Sequence, residues 1–229
     1  MGPWGHVGMP GLFQAERPGY LLISPTEIEP QGYRYNSGRT AIYFVGEFSK
    51  ENCEFKAEHS DEMDYGLDFY APQMLRDGNG WHVMIAWMQM WERNNPSAKD
   101  GWAGAMTIPR ELLLRDDELY QNLICEVETY RREKVEHRGV RLEAGQSIRL
   151  AGISGSCCDI EINVIRGSQT IIEWRVMANQ AGTRYASITV DMANGLVTFD
   201  RSLSESGISG LNNVQCLSIL PTDFQTFTC

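Results

Sequence analysis

The run MDYGLDFYAPQ at residues 63–73 concentrates the groups best suited to chemistry. Asp64 and Asp68 are carboxylates four residues apart. The rings of Tyr65, Phe69 and Tyr70 lie among them, and Pro72 closes the run. Three readings compete: an acid/base pair, a wall that bonds sugar hydroxyls, or a turn leading into a strand. Residues four apart in an extended segment face the same side, so the two carboxylates would share one wall. Asp also favours turns, where it bonds its own nearby backbone. Nothing in the run marks either residue as a general acid.

Elsewhere the chemistry is sparse. The histidines His6, His59, His82 and His137 are scattered without metal-ligand spacing, and no Ser/His/Asp triad is legible. Cys53, Cys125, Cys157, Cys158, Cys216 and Cys229 form no C-x-x-C pair, which argues against zinc. No metal site and no cofactor are expected. The N-terminal MGPWGHVGMPG has neither a basic nor an apolar signal region, so the thiols are expected to be reduced and the protein cytoplasmic.

The chain has 229 residues, of which 42% are hydrophobic and 22% charged, the balance of a globular protein with a sizeable core. Its formal net charge of −10 argues against nucleic acid, whose binding needs a basic surface. No apolar run approaches the ~20 residues needed to span a bilayer.

Short β-like runs must position the site. Tyr20–Pro25 and Thr40–Phe48 come first, and Trp81–Met88 follows the turn Asp77-Gly78-Asn79-Gly80. Asp-Gly and Asn-Gly are hairpin dipeptides. In Trp81–Met88, the row Trp81, Val83, Ile85 and Trp87 alternates with His82, Met84, Ala86 and Met88. Both rows are mostly apolar, which predicts a strand buried on both faces. A second hairpin, Tyr185–Asp200, folds at Asn194-Gly195. Ser147–Ile153, Asp159–Ile165 and Thr170–Met177 read as further strands, and such spacing suggests a sandwich or barrel. In 117–134, apolar residues fall near helical spacing and predict a helix by pattern. The polar, charged segment that follows reads as a domain boundary.

Four stretches, in order, carry a resemblance: LLISPTEIEPQGYRY, YFVGEF, MDYGLDFYAPQMLRDGNGWHVMIAWM and GWAGAMTIPRELLLRDDELYQ. Together they resemble the later part of glycoside hydrolase family 32, the β-fructofuranosidases that include invertases and sucrose-6-phosphate hydrolases. The likeness is close over residues 8–150 and looser over 150–210. It implies an all-β chain: the terminal blades of a five-bladed propeller at 1–121, a linker at 122–145 and an incomplete β-sandwich at 146–229. It also argues for strands in the first half of 117–134. The implied reaction is retaining hydrolysis of a β-fructoside such as sucrose, by two carboxylates ~5–5.5 Å apart and without a cofactor.

The departures bear on activity. The family's nucleophile lies in an Asn-Asp-Pro-Asn-Gly type motif, and Asn94-Asn95-Pro96 lacks the carboxylate. Its transition-state stabiliser lies in Arg-Asp-Pro, whereas Arg76-Asp77 and Arg115-Asp116 continue differently. Its acid/base glutamate lies in Glu-Cys-Pro, where this chain reads Gly8-Met9-Pro10. No catalytic residue is therefore expected in this chain, with Gly8 at the acid position. Glu16, Glu27 and Glu29 are the nearest carboxylates, and Glu29 matches a non-catalytic family position. The substrate contacts implied are Asp64, Asp68, Tyr70 and Trp87, with core packing the alternative for Tyr70 and Trp87. Trp91 and Trp102 are assigned structural places. The expected partners are a β-fructoside and either a separate N-terminal half or a second copy paired through open sheet edges.

Overall fold

The computed structural model describes residues 7–13, 19–91, 95–116, 118–164, 171–204, 214–218 and 226–228. For 7–13, 218 and 226–228 it describes the backbone alone. His6, Glu16, Asn94 and Cys229 lie outside the described residues.

The chain is all-β. β1 (Val7–Phe13), β2 (Gly19–Pro25), β3 (Ile42–Ser49) and β4 (Glu54–Glu62) pair antiparallel in chain order. β5 (Tyr70–Arg76), β6 (His82–Trp87), β7 (Arg110–Arg115) and β8 (Glu118–Leu123) form a second meander. β9 (Glu161–Asn163) pairs with β14 (Thr226–Thr228). β10 (Ile171–Val176), β11 (Ala186–Asp191), β12 (Leu196–Asp200) and β13 (Val214–Ser218) form a third meander.

The register shows why the first two sheets share a core. Tyr20 pairs with Val45 and Leu22 with Tyr43, which sets one apolar row on the first sheet. Met74 pairs with Met84, and Leu114 with Leu119, which sets another on the second. Tyr20, Leu22, Tyr43, Val45, Met84, Ala86, Leu112 and Leu119 pack into one buried cluster. Burying such rows against each other is the main stabilising term for two half-apolar sheets.

Both hairpins form where turn chemistry places them. Asp77 Oδ1 accepts the backbone N–H groups of Asn79 and Trp81 at 2.9 and 2.7 Å, and this holds its carboxyl below the usual range. Asp191 Oδ1 accepts those of Ala193 and Asn194 at 3.0 and 3.1 Å.

Several expectations need correction. The helix over 117–134 is absent among the described residues. β8 occupies Glu118–Leu123 and a 3-10 helix occupies Cys125–Tyr130. Tertiary pairing overrides local pattern here, because β7 needs a partner and Leu119 joins the core. Ser147–Ile153 forms no strand. Ile148, Leu150 and Ile153 are exposed, Gly152 interrupts the segment with positive φ, and Gly145 and Gly155 flank it with positive φ. β6 is buried on the Met84 and Ala86 side only. Val83, Ile85 and Trp87 are partly buried, and Trp81 and Met88 are exposed.

Candidate functional site

The link between the first two sheets, residues 63–69, carries both aspartates. It is bent rather than extended. Met63, Leu67 and Phe69 are buried and anchor it, which leaves Asp64 and Asp68 partly open to solvent.

Asp64 is fixed from two sides. Its Oδ1 accepts the Gly66 backbone N–H at 2.7 Å, and its Oδ2 meets Arg110 Nη2 at 2.7 Å. A Cβ added at Gly66 would lie 2.6 Å from that Oδ1, so a larger residue there would displace the Asp64 carboxylate. Arg110 Nη1 donates to Gln121 Oε1 at 3.0 Å, and Gln121 Nε2 donates to the Met63 carbonyl at 2.5 Å. The Arg110 guanidinium also lies over the Phe69 ring, 4.9 Å from its centroid. The Asp64 side chain is still 20% exposed, so its remaining lone pairs can accept sugar hydroxyls.

Asp68 does not join this ring. Its Oδ2 lies 3.1 Å from Nη1 of Arg201, which follows β12. The two aspartates are thus held by arginines from different regions, one on β7 and one just past β12. Arg201 Nε and Nη2, and Gln215 Nε2 on β13, are buried without a hydrogen-bond partner among the described residues.

Tyr70 takes a packing place. It is buried, and its hydroxyl donates to the Ser24 carbonyl at 3.0 Å. Ser24 in turn pairs with Gly8 across the β1–β2 ladder. Ser24 Oγ is buried there without a hydrogen-bond partner among the described residues. Trp87 is partly buried at the end of β6, where Cα register pairs it with Tyr70. Its ring meets Trp91 edge to face, with centroids 5.1 Å apart at 72°. Gly104 (φ +78°) is the close neighbour of Trp87. A Cβ there would meet Trp87 Nε1 at 3.1 Å and Gln89 Oε1 at 2.8 Å. Trp91 and Trp102 are exposed.

Two groups near the link escaped the sequence reading. Glu62 is buried. Burial pushes its carboxyl up, against the Tyr35 backbone N–H and the Thr40 hydroxyl, which donates to Oε1 at 3.3 Å. Arg110 belongs to no motif of its own in the sequence. Its role depends on a partner 46 positions earlier, which no local pattern reports. Tyr65 donates to Asp61 Oδ2 at 2.8 Å, and burial followed by that carboxylate pushes its hydroxyl up. Among the described residues, no group of His, Cys, Asp and Glu is placed to hold a metal ion. No helix among them is long and apolar enough to cross a membrane.

Comparison with known proteins adds lineage to this geometry. A raffinose invertase of Escherichia coli is 28% identical over 212 residues, covering 90% of this chain and 42% of that protein. A sucrose-6-phosphate hydrolase of Staphylococcus xylosus is 30% identical over 198 residues, covering 86% and 39%. The chain thus spans about two fifths of these relatives' length. Among solved structures, a mutant β-fructofuranosidase of Bombyx mori in complex with sucrose matches with a TM-score of 0.77 at 27% identity, covering 99% of this chain and 45% of that one. An exo-inulinase of Aspergillus awamori shares the fold, with a TM-score of 0.67 at 19% identity, covering 100% and 48%. Residues 5–122, more than half of the chain, match the family described as glycosyl hydrolases family 32, N-terminal domain, and the chain belongs to that family.

Proposed function

We propose that this chain forms one wall of a β-fructofuranoside pocket and binds a substrate such as sucrose without hydrolysing it alone. The observation that carries this reading is Asp64, fixed by Arg110 and Gly66 yet open enough to bond a sugar hydroxyl. Trp87 supplies an aromatic face to the sugar ring. Asp68 shapes the same link through Arg201, and Tyr70 holds β5 against β2. Residues 1–121 act as the glycosidase portion, 122–145 as a linker and 146–229 as part of a sandwich, in a cytoplasmic protein. Retaining hydrolysis requires a nucleophile carboxylate from polypeptide outside these 229 residues and an acid restored at position 8, because the three family motifs are absent and Gly8 replaces the acid. That polypeptide is an N-terminal half, paired at an open sheet edge. A purely carbohydrate-binding role is the second reading, favoured by Gly8 itself.

The test is calorimetric titration of the purified chain with sucrose, beside a sugar-release assay. The expected outcome is saturable binding with no fructose released. Asp64→Ala should weaken binding about tenfold, the loss of one good charge-assisted hydrogen bond of about 1.4 kcal/mol. Adding a co-expressed N-terminal half should give turnover only with Gly8→Glu. Turnover by the unaltered chain alone, or sucrose binding indifferent to Asp64→Ala, overturns the reading.

A further inference from the structure

Residues 131–159, between the 3-10 helix Cys125–Tyr130 and β9, double back on themselves. Arg131 Nε donates to Asp159 Oδ2 at 2.6 Å, and His137 Nε2 donates to the Ala151 carbonyl at 2.8 Å. At the bend, the Gln146 N–H donates to the Glu143 carbonyl at 3.0 Å. The limbs 131–143 and 146–159 therefore run antiparallel. Among the described residues no backbone hydrogen bond joins one limb to the other, so their peptide groups stay open to an outside partner.

The limbs are patterned as strands but lie in no sheet. Val135, Val140, Leu142, Ile148, Leu150 and Ile153 are between 38% and 48% exposed. The antiparallel course sets Val140 and Leu142 beside the limb that carries Ile148 and Leu150, and a Cβ at Gly152 would meet Val135 Cγ1 at 3.6 Å. Apolar residues gathered in this way mark an interaction surface. In 147–151, Ile148 and Leu150 alternate with Ser147, Arg149 and Ala151, the period of a strand with one face to bury.

Charge and area indicate what covers this ribbon. Residues 131–153 carry six cations, Arg131, Arg132, Lys134, Arg138, Arg141 and Arg149, against three glutamates, a net charge of +3, so the remaining residues sum to −13 within the formal total of −10. Arg149 Nη1 donates to the Gln180 carbonyl at 3.3 Å and meets no carboxylate among the described residues. A basic ribbon on an acidic chain is complementary to another copy of that chain. The chain exposes 15670 Å², against about 10,500 Å² expected for a compact protein of 25.9 kDa. A stable contact needs only about 1,200–2,000 Å² in total, well within that excess.

β4 offers the matching surface. It ends the first sheet, so its outer peptide groups face no strand. Glu54, Lys56, Ala57, Glu58 and His59 on it are exposed. Residues 47–62 hold six carboxylates against two lysines, a net charge of −4. Charges on an edge strand repel indiscriminate pairing and admit a strand of opposite sign.

We propose that a second copy of this chain covers the ribbon: residues 147–153 of one copy add as a strand to the β4 edge of the other, and the contact is made reciprocally to close a dimer. It uses none of Asp64, Asp68, Tyr70 or Trp87, so it stands or falls apart from sucrose binding.

The test is sedimentation equilibrium of the full chain, with hydrogen exchange of the same samples. A dimer of twice 25.9 kDa is expected, with a dissociation constant on the order of 10 μM that weakens about tenfold between 0.1 and 0.5 M salt. Amides in 54–59 and 147–153 should gain protection as concentration rises. Arg149→Glu, and Glu54→Arg combined with Glu58→Arg, should each weaken the dimer about tenfold or more, and an equimolar mixture of the two variants should recover it. Lys99→Glu, the same charge change at another exposed position, should leave it intact. A monomer throughout the concentration range overturns the proposal. So does a dimer indifferent to the reversals, no recovery on mixing, or assembly that grows past two copies. Protection confined to other segments, or gained in 147–153 only with a co-expressed N-terminal half, also overturns it.

Discussion

The first two sheets and the third sheet are built from the same alternating pattern but end in different states. Between the first two, Tyr20, Val45, Met84 and Ala86 are at most 1% exposed. On the third, register places Ile172, Trp174, Val176, Ala186, Ile188, Val190, Val197, Phe199, Gln215 and Leu217 in one row. Of that row only Ala186, Val190 and Gln215 are buried. An apolar row on a sheet stabilises only in proportion to the area another surface removes from water. The first two sheets supply that surface to each other. Asp64, Arg110 and Trp87 hang on the well-packed pair, which gives the candidate site a rigid base.

The largest effect expected from this contrast is in the shared core. Met84→Ala should cost about 2–5 kcal/mol, since a fully buried side chain leaves a cavity behind. Ile188→Ala on the third sheet should cost about 1 kcal/mol, because partial exposure leaves less area to lose. Urea unfolding followed by circular dichroism measures both. Equal costs would show that the third sheet is packed as firmly as the first two.

The same contrast explains what the sequence made legible. The Asp77 and Asn194-Gly195 turns were legible because their chemistry is local, and the strands beside them followed. β8 was obscured because Leu119, Tyr120 and Leu123 satisfy a helical period equally well. Its choice is made by pairing with β7. Asp64 was identifiable as a polar group in an aromatic run, but its fixation by Arg110 and Gln121 is set by sheet register. Arg201 lies 133 positions from Asp68, and nothing local announces their contact. Tyr70 read equally as wall or core, and only its hydrogen bond to Ser24 distinguishes the packing place.

The Asp68–Arg201 pair joins the two regions and gives the next effect in size. Its side chains are 23% and 15% exposed, so both charges are largely removed from water. Asp68→Asn should cost about 2 kcal/mol, because Arg201 then keeps a charge without this carboxylate while two of its donors already lack partners. Arg201→Met should cost about 1 kcal/mol or less, since it removes those donors as well as the charge. The double variant should match Arg201→Met alone. A double-variant cost equal to the sum of the two would show that the pair is not coupled and that the third sheet is held by other contacts.

The smallest effect tests the join between the first two sheets. Tyr20 OH and His82 Nδ1 are 2.5 Å apart, and the rings meet edge to face. Burial lowers the His82 pKa, and Arg76 lowers it further. Burial also holds the Tyr20 hydroxyl protonated, and it shares a hydrogen bond with the neutral imidazole whose direction the tautomer sets. A histidine depressed in the fold binds its proton more readily in the unfolded chain. Stability from this group is therefore complete above its unfolded value of about 6.5 and is lost as pH falls through the folded value. Glu62 acts with the opposite sign, because burial raises its pKa and favours the fold at low pH. His82→Gln keeps an acceptor for Tyr20 but does not titrate, so the difference between it and the wild type cancels Glu62. Melting temperatures from pH 8 to pH 5 should show the wild type losing stability relative to His82→Gln only below about 6.5. Parallel curves would mean that the imidazole keeps its ordinary affinity for protons in the fold. The tight join between the first two sheets would then not depend on its being neutral.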